Sequence, residues 1–114
     1  MIYVSATPQR LVGRIVVVCT YAIEGKDRFP EDMTFDEGFE SIDKSIEHLQ
    51  SKLTSARSDQ LISMSAQAKR HFEAGESKLG AWLMQDMERV IKRESPFAYP
   101  EHLYRWPRQS ASND

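Results

Sequence analysis

The sequence predicts an α+β fold in which an N-terminal β-hairpin packs on three α-helices, followed by an extended aromatic tail. β-Branched and aromatic residues dominate the first 23 positions, and apolar residues recur at helical spacing from Phe35 onward. Two prolines within the aromatic C-terminal stretch predict that the tail is extended. We assign residues 1–108 to one α+β domain and expect the polar residues 109–114 to form a disordered tail.

The predicted hairpin pairs residues Ile2–Thr7 with Leu11–Ile23, and residues 8–10 turn the chain between them. The two faces of the second strand are almost equally apolar, so we expect both faces to be covered. An isolated hairpin is marginally stable in water and needs a helix layer or another sheet edge beside it. We therefore predict a homodimer, formed through a strand edge or through a helix stripe.

The first predicted helix begins after Thr34, where the sequence "TFDE" is typical of a capping box between Thr34 and Glu37. Apolar residues then follow at alternating steps of four and three, which is a mean period of 3.5 residues. This period predicts a narrow apolar stripe suited to antiparallel helix packing or to a coiled-coil seam. The stripe consists of Phe35, Phe39, Ile42, Ile46, Leu49 and Leu53.

Two further helices form a predicted helical hairpin. Ser58 is the expected N-cap of the second helix and Gly75 its expected C-terminal cap, whereas Ser77 is expected to cap the third helix. Trp82 lies about 60° outside the apolar arc of the third helix at 100° per residue. Either the aromatic tail covers Trp82, or Trp82 is an anchor for a partner.

The first helix also carries an acidic ridge, at spacings of four, three and four residues. Residues 34–56 contain five acids and two lysines, a local net charge of −3. Such a ridge is either a solvated helix face or a docking face for a basic partner. Its residues are Asp36, Glu40, Asp43 and Glu47, and we predict that they bind a partner together with an aromatic–basic corner made of Trp82, Arg89, Tyr104 and Trp106.

Basic residues are interleaved with aromatic residues near the C-terminus, and this pattern can bind single-stranded nucleic acid by stacking and phosphate contacts. The alternative function is therefore a nucleic-acid-binding regulator. The same basic residues also complement the C-terminal end of a helix dipole. The sequence between the second and third helices lacks the pattern of a DNA-reading helix-turn-helix. The candidate nucleic-acid residues are Arg89, Lys92, Arg93, Arg105 and Arg108.

The sequence carries no recognisable catalytic or metal-binding pattern. The three histidines are scattered, without metal-type spacing, and Cys19 lies in an apolar run typical of an inert core thiol. "SIDK" (41–44) matches a common nucleophile pattern but lacks its companion motifs. We predict a protein that is not an enzyme and needs no metal or cofactor.

The expected function is a small interaction module that binds another protein and modulates it, as an accessory regulator or inhibitor. Bacterial mobile elements often encode compact regulators of this kind. The most hydrophobic run, residues 14–23, is too short to span a bilayer, and the single cysteine suits a reducing compartment. We therefore expect a cytoplasmic protein without a membrane partner.

Overall fold

The computed structural model describes residues 2–95 and 98–103, and every regular element in these ranges is helical. The predicted α+β class is therefore wrong, since no strand occurs among the described residues. Two 3₁₀ turns, at Lys26–Arg28 and Glu101–Leu103, accompany the helices. The α-helices are α1 (Pro8–Glu24), α2 (Phe35–His48), α3 (Gln50–Leu53), α4 (Ser55–Glu73) and α5 (Ser77–Ile91).

Helix α1 replaces the predicted second strand, and it begins where a hairpin turn was expected. The Thr7 side chain accepts a hydrogen bond from the backbone N–H of Arg10, and Pro8 occupies the first turn, where a missing N–H costs nothing. The buried residues of α1 recur at steps of four, three and four: Leu11, Ile15, Val18 and Ala22. Burial of this helical face outweighs the modest β-preference of the intervening valines, of which Val16 and Val17 are exposed.

The four longer helices form two layers. Helix α1 packs against α2 and α5, while α4 packs against the same two helices from the other side. Close approach of α1 to α2 depends on Gly38, because a Cβ atom there would lie 3.2 Å from side-chain atoms of both Val18 and Phe29. The layers thus consist of α1 beside α2 and of α5 beside α4.

The capping box and the buried stripe predicted for the first helix are confirmed, but the helix itself ends at His48, and Leu53 belongs to α3. The Thr34 hydroxyl accepts from the N–H of Glu37 at 3.2 Å, and the Glu37 carboxylate accepts from the N–H of Thr34 at 2.9 Å. All six residues of the predicted apolar stripe are buried. The stripe faces the chain's own core, so it does not offer a seam for a second copy, and the strand edge was predicted from a hairpin that is not formed. The homodimer stays a prediction, but neither the strand edge nor the helix stripe from which it was predicted is available to form it.

The predicted start of the second helix, after an N-cap at Ser58, is wrong, because α4 begins at Ser55, three residues before Ser58. Thr54, at φ 73°, caps α4 by accepting from the N–H of Arg57, and Ser58 is buried within the helix. Gly75 adopts φ 79° just after α4, as predicted for a C-terminal cap. Ser77 is the first residue of α5 rather than its side-chain cap. None of the helices in the described ranges is both long and apolar enough to cross a bilayer.

The two ends of the described chain lie against opposite layers. The N-terminal segment, residues 2–7, packs on α1 and α2: Ser41 donates to the carbonyl of Tyr3, and the Ser5 N–H donates to Ser45 at 2.8 Å. The C-terminal segment, residues 98–103, packs on α5 and α4 through Asp86 and His71. The two described end segments are therefore held by different helices.

Candidate functional site

A cleft of about 720 Å³ opens between the N-terminal segment, α1 and the loop before α2. Helix α1 contributes Arg14, Val17 and Tyr21, which recur at steps of three and four and so share one helix face. The remaining lining residues come from the N-terminal segment, the loop and the start of α2: Ile2, Tyr3, Pro30, Glu31, Asp32, Met33, Glu37 and Ser41.

Buried serines of α2 fix the N-terminal wall of this cleft. Ser41 and Ser45 hold the backbone of the N-terminal segment, and the Ser45 hydroxyl in turn donates to the carbonyl of Ser41 at 2.7 Å. Ser5 and Ser45 are fully buried, so these hydrogen bonds form away from water. The Tyr3 ring is thereby presented at the cleft by a backbone anchored at the carbonyl of Tyr3 and at the N–H of Ser5.

The opposite wall is supported by a chain of aromatic contacts that continues into the core. The Tyr21 ring lies 5.5 Å from Phe29, which lies 5.7 Å from Phe35 in an edge-to-face arrangement. Phe35 contacts Phe39, which contacts Phe72 on α4. Because such close-packed rings resist displacement, the wall made by Tyr21 is part of the folded core.

The cleft is negatively charged at its rim. Glu31, Asp32 and Glu37 line it, against a single lining cation, Arg14. The Arg14 guanidinium lies 4.2 Å from the centre of the Tyr3 ring and donates to the sulfur of Met33. These acids belong to a strongly acidic stretch, since residues 31–47 contain seven carboxylates and one lysine, a net charge of −6 in a chain whose total is −2.

Two exposed apolar side chains line the same cleft. Five large hydrophobic residues are exposed among those described, and two of them, Tyr3 and Val17, line the cleft at 42% exposure each. Val4 is the chain neighbour of Tyr3. Val16 and Ile23 lie elsewhere on α1, outside the cleft lining. The cleft thus combines an accessible apolar floor with an acidic rim.

The predicted acidic ridge of α2 lies on the flank that approaches α4. Asp36 forms an ion pair with Lys69 at 3.1 Å, and Asp43 is half-buried. Burial raises the pKa of the Asp43 carboxyl, and the neighbouring Ser65 hydroxyl opposes that rise. Glu40 and Glu47 are exposed. The ridge is therefore partly engaged within the chain, and its binding of a partner stays a prediction.

The structure describes only part of the predicted aromatic–basic corner. Trp82 is half-buried against the core, with the Lys78 ammonium 5.5 Å from its ring, so it is neither fully covered nor fully exposed. Arg89 is half-buried and pairs with Glu94 at 3.6 Å. Lys92 and Arg93 are exposed after α5. Tyr104, Arg105, Trp106 and Arg108, like the predicted disordered tail 109–114, lie outside the described residues.

A histidine-centred network joins the end of α4 to the C-terminal segment. The Nδ1 atom of His71 lies 2.8 Å from the Glu76 carboxylate, and its Nε2 atom lies 2.6 Å from the Tyr99 hydroxyl. A carboxylate, an imidazole and a phenol in line could relay a proton. However, Tyr99 is only 2% exposed and its backbone is held by Asp86, so the phenol has little access to a substrate. The network fastens the C-terminal segment to α4 and α5.

Cys19 and the carboxylates do not form a reactive or metal-binding group. Burial, and secondarily the charge of Glu88, raises the pKa of the Cys19 thiol to about 11, which disfavours the nucleophilic thiolate. Within the described residues, no three side chains of His, Cys, Asp or Glu are grouped so as to hold a metal ion.

Sequence reasoning missed the cleft because its assignment of α1 was wrong. Arg14, Val17 and Tyr21 share a face only in a helix, since in a strand Arg14 points away from the two others. The helical spacing of Leu11, Ile15 and Val18 was the signal that could have revealed this face. No family model, curated protein or solved structure matches the chain.

Proposed function

We propose that this chain is a non-enzymatic interaction module that binds a basic segment of another protein in the cleft between α1 and α2. Binding there would modulate the partner, as expected of an accessory regulator or inhibitor. The observation that carries the proposal is the coincidence, in one cleft, of the exposed apolar side chains Tyr3 and Val17 with the carboxylates Glu31, Asp32 and Glu37.

The chemistry of the cleft specifies the partner in general terms. Exposed apolar groups recover free energy when a partner covers them, at about 25 cal/mol per Å² of apolar surface removed from water. The acidic rim favours lysine or arginine beside the apolar anchor and speeds the encounter of oppositely charged surfaces. An acidic partner would be repelled by the same rim, so the rim supplies specificity as well as attraction.

Charge reversal tests the contribution of the rim. We expect the double variant Glu31→Lys, Asp32→Lys to retain far less partner than the unmodified chain, when each is affinity-purified with nuclease treatment from cells that naturally express the protein. Asp59→Lys is the control, because Asp59 is exposed on α4 outside the cleft. If the double variant and the Asp59→Lys control lose the same partner equally, overall charge governs binding and the cleft does not.

Nucleic acid is the second candidate ligand, favoured by the closeness of two arginines. Burial, followed by the positive charge of Arg93, lowers the pKa of Arg57, so the start of α4 and the end of α5 bring two cations together. A nucleic-acid ligand would be lost on nuclease treatment and would weaken steeply with salt. The variant Arg57→Glu, Arg93→Glu would abolish such binding and leave the cleft unaltered.

A further inference from the structure

We propose that the cleft also accepts the stretch Tyr104–Arg108 of a second copy of this chain. The inference rests on the proposed function, because it requires the cleft to be a docking site. It names a specific occupant, and the consequence is that self-association and partner binding compete for one surface.

The composition of that stretch complements the cleft. It reads "YRWPR", with two arginines, two large aromatic residues and one proline among five residues. The cleft offers three carboxylates at its rim, with Tyr3 and Tyr21 in its walls. Arginine can pair with carboxylates and stack on aromatic rings at the same time, as Arg14 already stacks on Tyr3.

The geometry favours a second copy over the same chain. The cleft lies on the face formed by α1 and α2, whereas Asp86 and His71 fix residues 98 and 99 against α5 and α4. The stretch "YRWPR" begins only five residues after Tyr99, so within one chain it is tethered close to α5 and α4. A second copy can present the stretch to the cleft without that constraint.

Contact between two different surfaces of identical chains is heterologous. Such a contact leaves the cleft of one copy and the stretch of the other unoccupied, so further copies can add. We therefore expect the average mass in solution to rise with concentration, and a protein partner that fills the cleft to reverse this rise.

Photo-crosslinking in the purified full-length protein tests the proposal. A benzoylphenylalanine replaces Tyr3, an exposed aromatic residue of the cleft, and equal amounts of ¹⁴N- and ¹⁵N-labelled chains are mixed before irradiation. Mass spectrometry then identifies the peptides joined to position 3. The expected product joins position 3 of one isotope to residues 104–108 of the other. The same group at Ile23, exposed on α1 outside the cleft, should not give this product.

Charge exchange makes the test specific. Arg105→Glu with Arg108→Glu should lower the mixed-isotope product at least tenfold, and pairing that chain with a Glu31→Arg, Asp32→Arg chain should restore it. Products within one isotope only, products with another segment, or no product would overturn the proposal. If Glu31→Lys, Asp32→Lys loses its partner but no crosslink to residues 104–108 forms, the proposed function stands and self-docking fails. If that crosslink forms but the variant keeps its partner, self-docking stands and the proposed function fails.

Discussion

The carboxylate of Asp86 on α5 accepts a hydrogen bond from the backbone N–H of Tyr99 at 2.8 Å, and its second oxygen accepts from the N–H of Ala98 at 2.9 Å. Asp86 is fully buried, so this one side chain satisfies two amides that the irregular C-terminal segment cannot pair within itself. The segment is fixed to the helical core by two hydrogen bonds to one side chain as well as by apolar packing.

Removal of that anchor should destabilise the protein strongly. We expect Asp86→Ala to lower the free energy of unfolding by about 3 kcal/mol, because it leaves buried amide donors without an acceptor. Urea unfolding followed by circular dichroism measures this change. The exposed neighbour Gln85→Ala is the control and should stay within about 0.5 kcal/mol of the unmodified protein. Similar losses in both variants would contradict the anchoring role.

Two glycines in helices should respond in opposite directions to the same substitution. A Cβ at Gly80 would lie 2.7 Å from the Phe72 ring, so Gly80→Ala should cost about 1–3 kcal/mol of stability. No atom lies within 4 Å of the Cβ position at Gly13 in α1, and Gly13→Ala should add about 0.5–1 kcal/mol. Thermal unfolding of both variants checks the contrast. Destabilisation by Gly13→Ala would argue against a helix at this position.

The pH dependence of stability should report the environment of Asp43. Its pKa is raised in the folded state, chiefly by burial, so the native protein binds the proton more tightly than the unfolded chain does. This contribution is present at low pH and is lost as the pH rises through the folded-state pKa. As the pH rises above the ordinary aspartate pKa of about 4, Asp43→Asn should therefore gain stability relative to the unmodified protein. Asp59→Asn, exposed on α4, should follow the unmodified protein; an identical slope for both variants would contradict this explanation.

The Cys19 thiol should react slowly in the folded protein. A rise of its pKa from 9.0 to about 11 lowers the thiolate fraction about 100-fold near pH 8. We expect alkylation by iodoacetamide to be at least about 100-fold slower in the native protein than in denaturant. Equal rates in the two conditions, with the native fold verified by circular dichroism, would show that the thiol is neither shielded nor shifted.

Local patterns in the sequence were sufficient to predict α2, but not α1. The capping box of Thr34 and Glu37 and the apolar stripe act within a few residues of each other, and both are present in the structure. In α1 the exposed valines obscured an equally regular buried face, and it is the packing of that face against α2 and α5 that outweighs their β-preference.

The N-terminal wall of the candidate site and the attachment of the C-terminal segment depend on contacts that have no local signature. Asp86 is 13 residues from Tyr99, and Ser41 is 38 residues from Tyr3, so neither pair belongs to a recognisable motif. The charge of residues 31–47 was visible in the sequence, but the assignment of α1 as a strand hid the apolar wall beside it. The predicted acidic ridge therefore named neighbouring residues of α2 while omitting the cleft itself.

The most direct measurement of the central claim compares Val17→Lys with Val16→Lys in affinity purification from the native host. The two valines are adjacent on α1 and similarly exposed, at 42% and 46%, but only Val17 lines the cleft. Both variants are first shown to have equal folded stability. We then predict that Val17→Lys recovers at least tenfold less of the nuclease-resistant partner and that Val16→Lys recovers as much as the unmodified protein. Retention of that partner by both variants, or its loss from both, would contradict a docking site in this cleft.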